Sequence, residues 1–409
     1  MKFAHIADVH LGAWRYPELQ ELNAQAFRQV IDTCIQEQVN FIVLSGDLFD
    51  VAMPPIDVLK EAVSEFKKLK DAGIPCYLVP GSHDFSVTGK TFIDVLERGG
   101  FCKNVASLRE ENGFFFLNFF RDDKNNAVFA GIPGKKASLE LEFFERLKAD
   151  LGEYKDMLKI LIFHTTLSEC KPFESMPSIT ASELPSGFDY YAAGHIHIAE
   201  VIKKDKQDNV FVVYPGPVFP NNLEELEQFS CGSFYIVTYD NKKFEVQKKE
   251  LKFKEVISSL IDVDGLSSQQ ANIKILEELS KLDLKDKIFI LRVSGCLSSG
   301  KTSDIDIEKI REKTKESYLL LKSFSKLTTK ELKVEVKGEH KTIDEIENEF
   351  IMEYEKQIPN EFINFSKFIV PLLEHLNFEK QEGEKKEDFQ ARVFENVSKI
   401  LNLKSTLEK

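Results

Sequence analysis

Five apolar runs in the first 200 residues each end in histidine or aspartate, and this constrains the fold more than any other feature. KFAHIAD (2–8) leads into Asp8-Val9-His10, and NFIVLSGD (40–47) ends on Asp47. IPCYLVPG (74–81) leads into Ser82-His83-Asp84, KILIFHTT (159–166) carries His164, and FDYYAA (188–193) leads into Gly194-His195-Ile196-His197. Short apolar runs bounded by Gly and Pro read as buried strands. Between the early runs, Leu59, Ala62, Val63, Phe66 and Leu69 have helical spacing. Alternating strand and helix predicts an α/β layered domain, in which ligands gather at strand ends.

More closely spaced runs follow: 113–120, 126–132, 210–216, 232–240 and 243–251. They predict a second sheet packed on the first. The expected first domain is therefore 1–251, a two-sheet sandwich flanked by helices. From 252 the pattern changes: a strand at 287–295, a helical stretch through about 316 and a strand near 331–337 predict a small α+β capping domain over 252–340. Residues 341–409 read as a helical tail. Its stripes are Ile343, Ile346, Phe350 and Tyr354, then Phe362, Phe365, Ile369 and Leu373, and finally Phe389, Val393, Val397 and Ile400 after a polar linker at 379–388.

Composition narrows the class. The chain is 43% hydrophobic and 30% charged, ordinary for a soluble globular protein. No apolar run approaches the roughly 18 residues of a membrane helix, and His5, Asp8 and His10 stand where a signal peptide needs its apolar core. The six cysteines are scattered without a CxxC pair. That predicts reduced thiols and a cytoplasmic setting. The net charge is −13, yet residues 241–340 carry 21 Lys and Arg against 17 Asp and Glu. This segment is the only net basic part.

In an extended chain, residues i and i+2 point the same way. Asp8 and His10 thus form one pincer, and His195 and His197 another. Mixed imidazole and carboxylate donors suit manganese, iron, zinc or nickel better than magnesium or calcium. The donors suffice for two metals, and a carboxylate such as Asp47 can bridge them with its two oxygens. Two such ions form a clamp for phosphoester hydrolysis.

The ordered set "DVH…GD…GSHD…H…GHIH" resembles the calcineurin-like metallophosphoesterases. HIADVHLG, LSGDLFD and AAGHIH are more closely similar to the SbcD-type (meiotic recombination eleven) nucleases of DNA double-strand-break repair, over residues 1–220 and more weakly to about 340. The resemblance implies that Asp8, His10 and His197 hold one metal with Asp47. Asp47 bridges to a second metal held by His164 and His195. Ser82 stands where the family usually has a metal-binding asparagine, so a water completes that site. His83 then faces the phosphate, with Asp84 holding its ring. Asp50 stands where many members carry a further histidine.

The resemblance also implies two manganese ions and 3′–5′ exonuclease action on duplex ends. It further implies endonuclease action on single-stranded DNA, a homodimer, and an SbcC-type coiled-coil ATPase bound by the C-terminal helices in a nucleoid-associated, cytoplasmic protein. Two rival functions are a small-nucleotide phosphodiesterase and a DNA-end-binding scaffold with a weakened site. GCLSSGKT (295–302) matches a phosphate-binding loop, but its segment is short of strands for a nucleotide-binding fold, so Lys301 reads better as a DNA-backbone contact. Trp14, Arg15 and Tyr16 lie just past the first motif, as substrate contacts or as surface packing.

Overall fold

The computed structural model describes residues 1–86, 89–204, 210–330, 372 and 386–400. It has two compact units. One holds Met1–Ser259, Leu282–Arg292 and Arg311–Lys322; the other holds Leu260–Lys281, Val293–Ile310 and the described part of Ser323–Lys409.

In the first unit, one six-stranded sheet has the order Lys243–Leu251, Gly232–Asp240, Lys2–Ile6, Phe41–Ser45, Cys76–Val79, Lys103–Asn104. Its last four strands are parallel and its first two run antiparallel. The other has the order Ala199–Lys203, Phe211–Pro215, Tyr190–Gly194, Leu158–His164, Ala127–Ile132, Phe120–Asp122. Its four middle strands are parallel and its two edges antiparallel.

Alternation along each strand explains the stacking. Phe3, Phe41, Val43, Tyr77 and Val79 pack against Phe129, Ile160, Ile162, Tyr190 and Val213 of the facing sheet. Their neighbours Ala4, Ile6, Ile42, Leu44 and Leu78 pack on the other side against Leu22, Phe27, Val30 and Phe66. Those four lie on the helices Pro17–Gln36 and Ile56–Asp71. Burial on both faces is why the strands read as near-continuous apolar runs. Tyr77 stacks on Phe129 at 3.8 Å between ring centroids, and Phe41 meets Phe129 edge-on at 5.1 Å. Such pairs add about 0.5–1.5 kcal/mol each beyond area burial. The expected two-sheet α/β sandwich is the fold observed.

The sheet assignment needs correction. Strands 232–240 and 243–251 extend the first sheet rather than the second. A tight turn at Asn241 and Lys242, both at positive φ, folds them into a hairpin, and Ala4 pairs with Ile236 along the free edge of the first strand. The run 113–120 divides as well: Phe114–Leu117 joins a separate small sheet with Leu108–Glu111 and Leu147–Lys148.

Beyond 252, strands Val256–Asp262, Ile288–Leu297 and Leu319–Thr329 pair in that order. Helix Ser268–Leu279 opens with a capping box between Ser267 and Gln270. The strand expected near 331–337 lies outside the described residues. So do the first two tail stripes, while the last falls on the helix Lys386–Ile400.

Candidate metal centre

The strand ends of both sheets converge on one point. Asp8, His10, Asp47 and His195 sit at φ 50°, 47°, 52° and 91°. Non-glycine residues in this left-handed region cost on the order of 1–3 kcal/mol each and collect at functional sites. Neighbouring groups hold them there. The Asp8 amide donates to the Gly46 carbonyl at 3.1 Å, and the His10 amide to the Asp47 carbonyl at 3.0 Å. The His195 amide donates to Asp8 Oδ1 at 3.0 Å.

Among the described residues, Asp8, His10 and His197 bring their donor atoms within 4.8 Å of one another. Asp47, His164 and His195 do the same. Asp47 stands between the two groups. Its Oδ2 lies 3.1 Å from His164 Nε2 and 3.7 Å from His10 Nε2, whereas Oδ1 accepts the His83 amide at 2.8 Å. One oxygen rather than two therefore faces both groups.

The donors fit divalent cations. His164 Nε2 is buried and makes no hydrogen bond although Asp47 is close. Its Nδ1 donates to the Ser45 carbonyl at 2.8 Å, which leaves Nε2 as the nitrogen turned toward Asp47 and able to bind a cation once its proton is displaced. His197 Nδ1 meets Glu225 Oε1 at 2.9 Å and His10 Nδ1 lies 3.4 Å from Asp50 Oδ1. Glu225 favours a proton on His197 Nδ1, His10 Nδ1 is buried without a hydrogen bond, and the two Nε2 atoms face each other at 3.2 Å. Donors about 3 Å apart with lone pairs converging match ligands sharing one cation at 2.0–2.2 Å. Carboxylate partners of this kind fix the tautomer of a metal-binding histidine.

Burial raises the Asp8 carboxyl pKa. Burial would also raise Asp47, but the adjacent His164 outweighs it and holds that carboxyl low. His164 is pushed up to about 10: burial opposes its charge, and Asp47 and Asp8 more than compensate. Burial, reinforced by His164, lowers His195 to about 3.

Three residues differ from expectation or were missed. Asp84 does not hold the His83 ring. Its buried carboxylate accepts the amides of Gly81 at 2.9 Å, Phe49 at 3.1 Å and Leu48 at 3.3 Å, tying the third strand's loop to the loop after Asp47. The His83 ring bonds instead through Nδ1 to the Asp50 carbonyl at 2.6 Å and packs edge-on to His10. Asp50, unassigned from sequence, thus touches both His10 and His83, and the three form a further close group. Glu225 was likewise missed. Its signal is Asn222-x-x-Glu225 at the start of Leu223–Phe229, where Asn222 caps the helix and the Asn221 amide and the Asn222 side chain hold the Glu225 carboxylate toward His197.

A cleft opens beside this centre, lined by Asp50, Ser82, His83, Lys135, Lys136, Ser138 and His195. His83 is exposed there. Trp14 is packing: its indole donates to the Pro220 carbonyl at 2.8 Å. The GCLSSGKT segment starts no long helix. Lys301 precedes a three-residue turn, Thr302–Asp304, and its amide is taken by Asp304 Oδ2 at 2.7 Å. A carboxylate therefore occupies the amide a phosphate would need.

Residues 1–199 match the family model of the calcineurin-like phosphoesterases. These residues form a calcineurin-like metallophosphoesterase domain. The chain is a metal-dependent phosphoesterase, of a superfamily that works with paired metal ions. It is 29% identical over 307 residues to the DNA double-strand break repair protein Mre11 of Methanococcus maripaludis, covering 71% of this chain and 77% of that protein. It is 26% identical to the Mre11 of Archaeoglobus fulgidus, covering 76% and 72%. It is 27% identical to the uncharacterized metallophosphoesterase YhaO of Bacillus subtilis, covering 72% and 71%. Among the described residues, no helix is long and apolar enough to cross a membrane.

Proposed function

We propose that this phosphoesterase is a DNA nuclease of double-strand-break repair. The observation that carries the reading is the pair of donor groups beside an open cleft, with Asp47 Oδ2 in one and 3.7 Å from His10 of the other. The similarity to proteins named for break repair supports DNA as substrate, because it runs well past the phosphoesterase domain.

Asp8, His10 and His197 would hold one ion, and His164 and His195 the other, with Asp47 between them. Ser82 would complete the second site through water, and the donor chemistry favours manganese. When bound, such ions supply Lewis acidity toward the phosphate and lower the pKa of water. The chain's own residues do the rest. Glu225 keeps the His197 lone pair aimed inward. His83 is exposed at the cleft with its Nδ1 donating to the Asp50 carbonyl, so when the ring carries a second proton, on Nε2, it can pass that proton to the leaving oxygen and return to the neutral imidazole.

The finer reading is 3′–5′ exonuclease action on duplex ends and endonuclease action on single strands, in a homodimer. Nuclease chemistry resides in 1–251. Residues 252–340, with Lys301, contact DNA, and 341–409 dock on a coiled-coil ATPase of the SbcC type. Labelled duplex DNA incubated with manganese should shorten, and chelator should stop it. DNA bound but uncut would make the chain an end-binding scaffold, and hydrolysis of small nucleotide diesters alone would make it a nucleotide phosphodiesterase.

A further inference from the structure

The loop 135–138 forms one wall of the cleft that also holds Ser82, His83 and His195. Two features mark it as built rather than incidental. Ala137 and Ser138, neither of them glycine, sit consecutively at φ 56° and 55°. Adjacent left-handed residues are costly and persist only where their surroundings impose them. The second feature is Glu140, a buried carboxylate that anchors the start of the loop. Its Oε2 accepts the Lys135 amide at 2.9 Å, and its Oε1 accepts the Thr165 hydroxyl at 2.8 Å. Thr165 directly follows His164, so one side chain ties the loop to the strand that carries this donor.

The two lysines of the loop are not equivalent. The Lys135 ammonium lies 4.1 Å from the Phe143 ring centroid and is spent on that aromatic face. Lys136 is exposed, with no side-chain ion pair or hydrogen bond found among the described residues. A loop anchored at Lys135 thus presents the Lys136 ammonium to a cleft whose other walls carry the phosphoester chemistry.

We propose that Lys136 is a substrate-positioning residue that binds a DNA phosphate next to the one cut. This rests on the nuclease reading of the cleft. A flexible lysine elsewhere on the surface would add only diffuse attraction. Here Glu140 fixes the backbone against the His164 strand, so the contact registers the DNA backbone relative to the metal centre. It is made before and during the reaction alike, so it acts mainly on KM.

The test compares wild-type protein, Lys136→Gln and Lys136→Arg with manganese, on labelled DNA and on bis(4-nitrophenyl) phosphate, a small diester without flanking phosphates. For Lys136→Gln, the loss in kcat/KM is expected to be about three- to tenfold greater on DNA than on the small diester, and expressed in KM. The slope of log affinity against log salt should fall by about one contact, or 0.7–0.9. Lys136→Arg should restore most of both. Equal losses on the two substrates, or an unchanged KM and salt slope on DNA, would overturn the assignment. Wild-type protein that cleaves the small diester but no DNA would overturn the nuclease reading, and this inference with it.

Discussion

At the scale of single residues, the Glu225 carboxylate decides which nitrogen of His197 carries the proton and so which one can face a cation. Asp8 and His10, two apart at a strand end, do share one donor group, but the expected pincer of His195 and His197 does not form: His197 joins Asp8 and His10 while His195 joins Asp47 and His164. Glu225 lies 28 residues beyond His197 and on a helix, so only the folded chain brings it within 2.9 Å. Asp84 shows the converse error. Adjacency to His83 suggested a partner, but a buried carboxylate beside three unpaired amides is satisfied by the backbone first. A measurable consequence concerns Glu225. Glu225→Gln should leave the protein folded and weaken manganese binding by about 10–100-fold, because the His197 tautomer loses its carboxylate partner. Titration calorimetry checks this, and unchanged affinity would remove Glu225 from the centre.

At the scale of elements, strands were legible and their neighbours were not. A run buried on both faces reads the same whether it enters a sheet parallel or antiparallel. This is why Gly232–Asp240 was placed in the second sheet although it borders Lys2–Ile6 in the first. The Ile288–Leu297 strand was read almost whole, whereas Leu319–Thr329 was missed, since its Lys and Ser residues interrupt the apolar signal. The turn after Cys76–Val79 shows how tightly elements meet at the centre. A Cβ on Gly81 would lie 2.2 Å from Asp47 Oδ1 and 2.3 Å from the Asp47 amide nitrogen. Gly81→Ala must displace the loop carrying Asp47. We expect a cost of about 1–3 kcal/mol, as for overpacking elsewhere, with reduced manganese affinity. Gly73→Ala supplies turn strain alone: unlike Gly81 it sits at positive φ, 69°, and nothing lies within 4 Å of its Cβ position. Denaturant melts and metal titration of both variants should therefore separate strain in the turn from damage to the centre. Intact metal binding in Gly81→Ala would show that the loop yields without moving Asp47.

At the scale of the whole molecule, the chain does not leave the phosphoesterase unit at residue 251. Ile288, Ile290 and Leu321 return to its helix-side core, and Arg292 pairs with Glu227 through both carboxylate oxygens. Burying each such aliphatic side chain contributes about 1.5–3 kcal/mol, so together they rival the 5–15 kcal/mol net stability of a typical domain. A chain ending at 251 should melt far earlier or aggregate. A chain ending near Lys341 should stay folded, bind manganese and lose only partner docking. Equal melting temperatures for the two would show that the returning segments contribute little. The measurement that tests the central claim most directly is calorimetric titration of manganese into wild-type protein and Asp47→Asn. A shared Asp47 Oδ2 predicts two ions per chain in the wild type and weakened binding at both sites in the variant. One ion or none per wild-type chain, or an Asp47→Asn titration indistinguishable from wild type, would contradict a paired-metal centre built around Asp47.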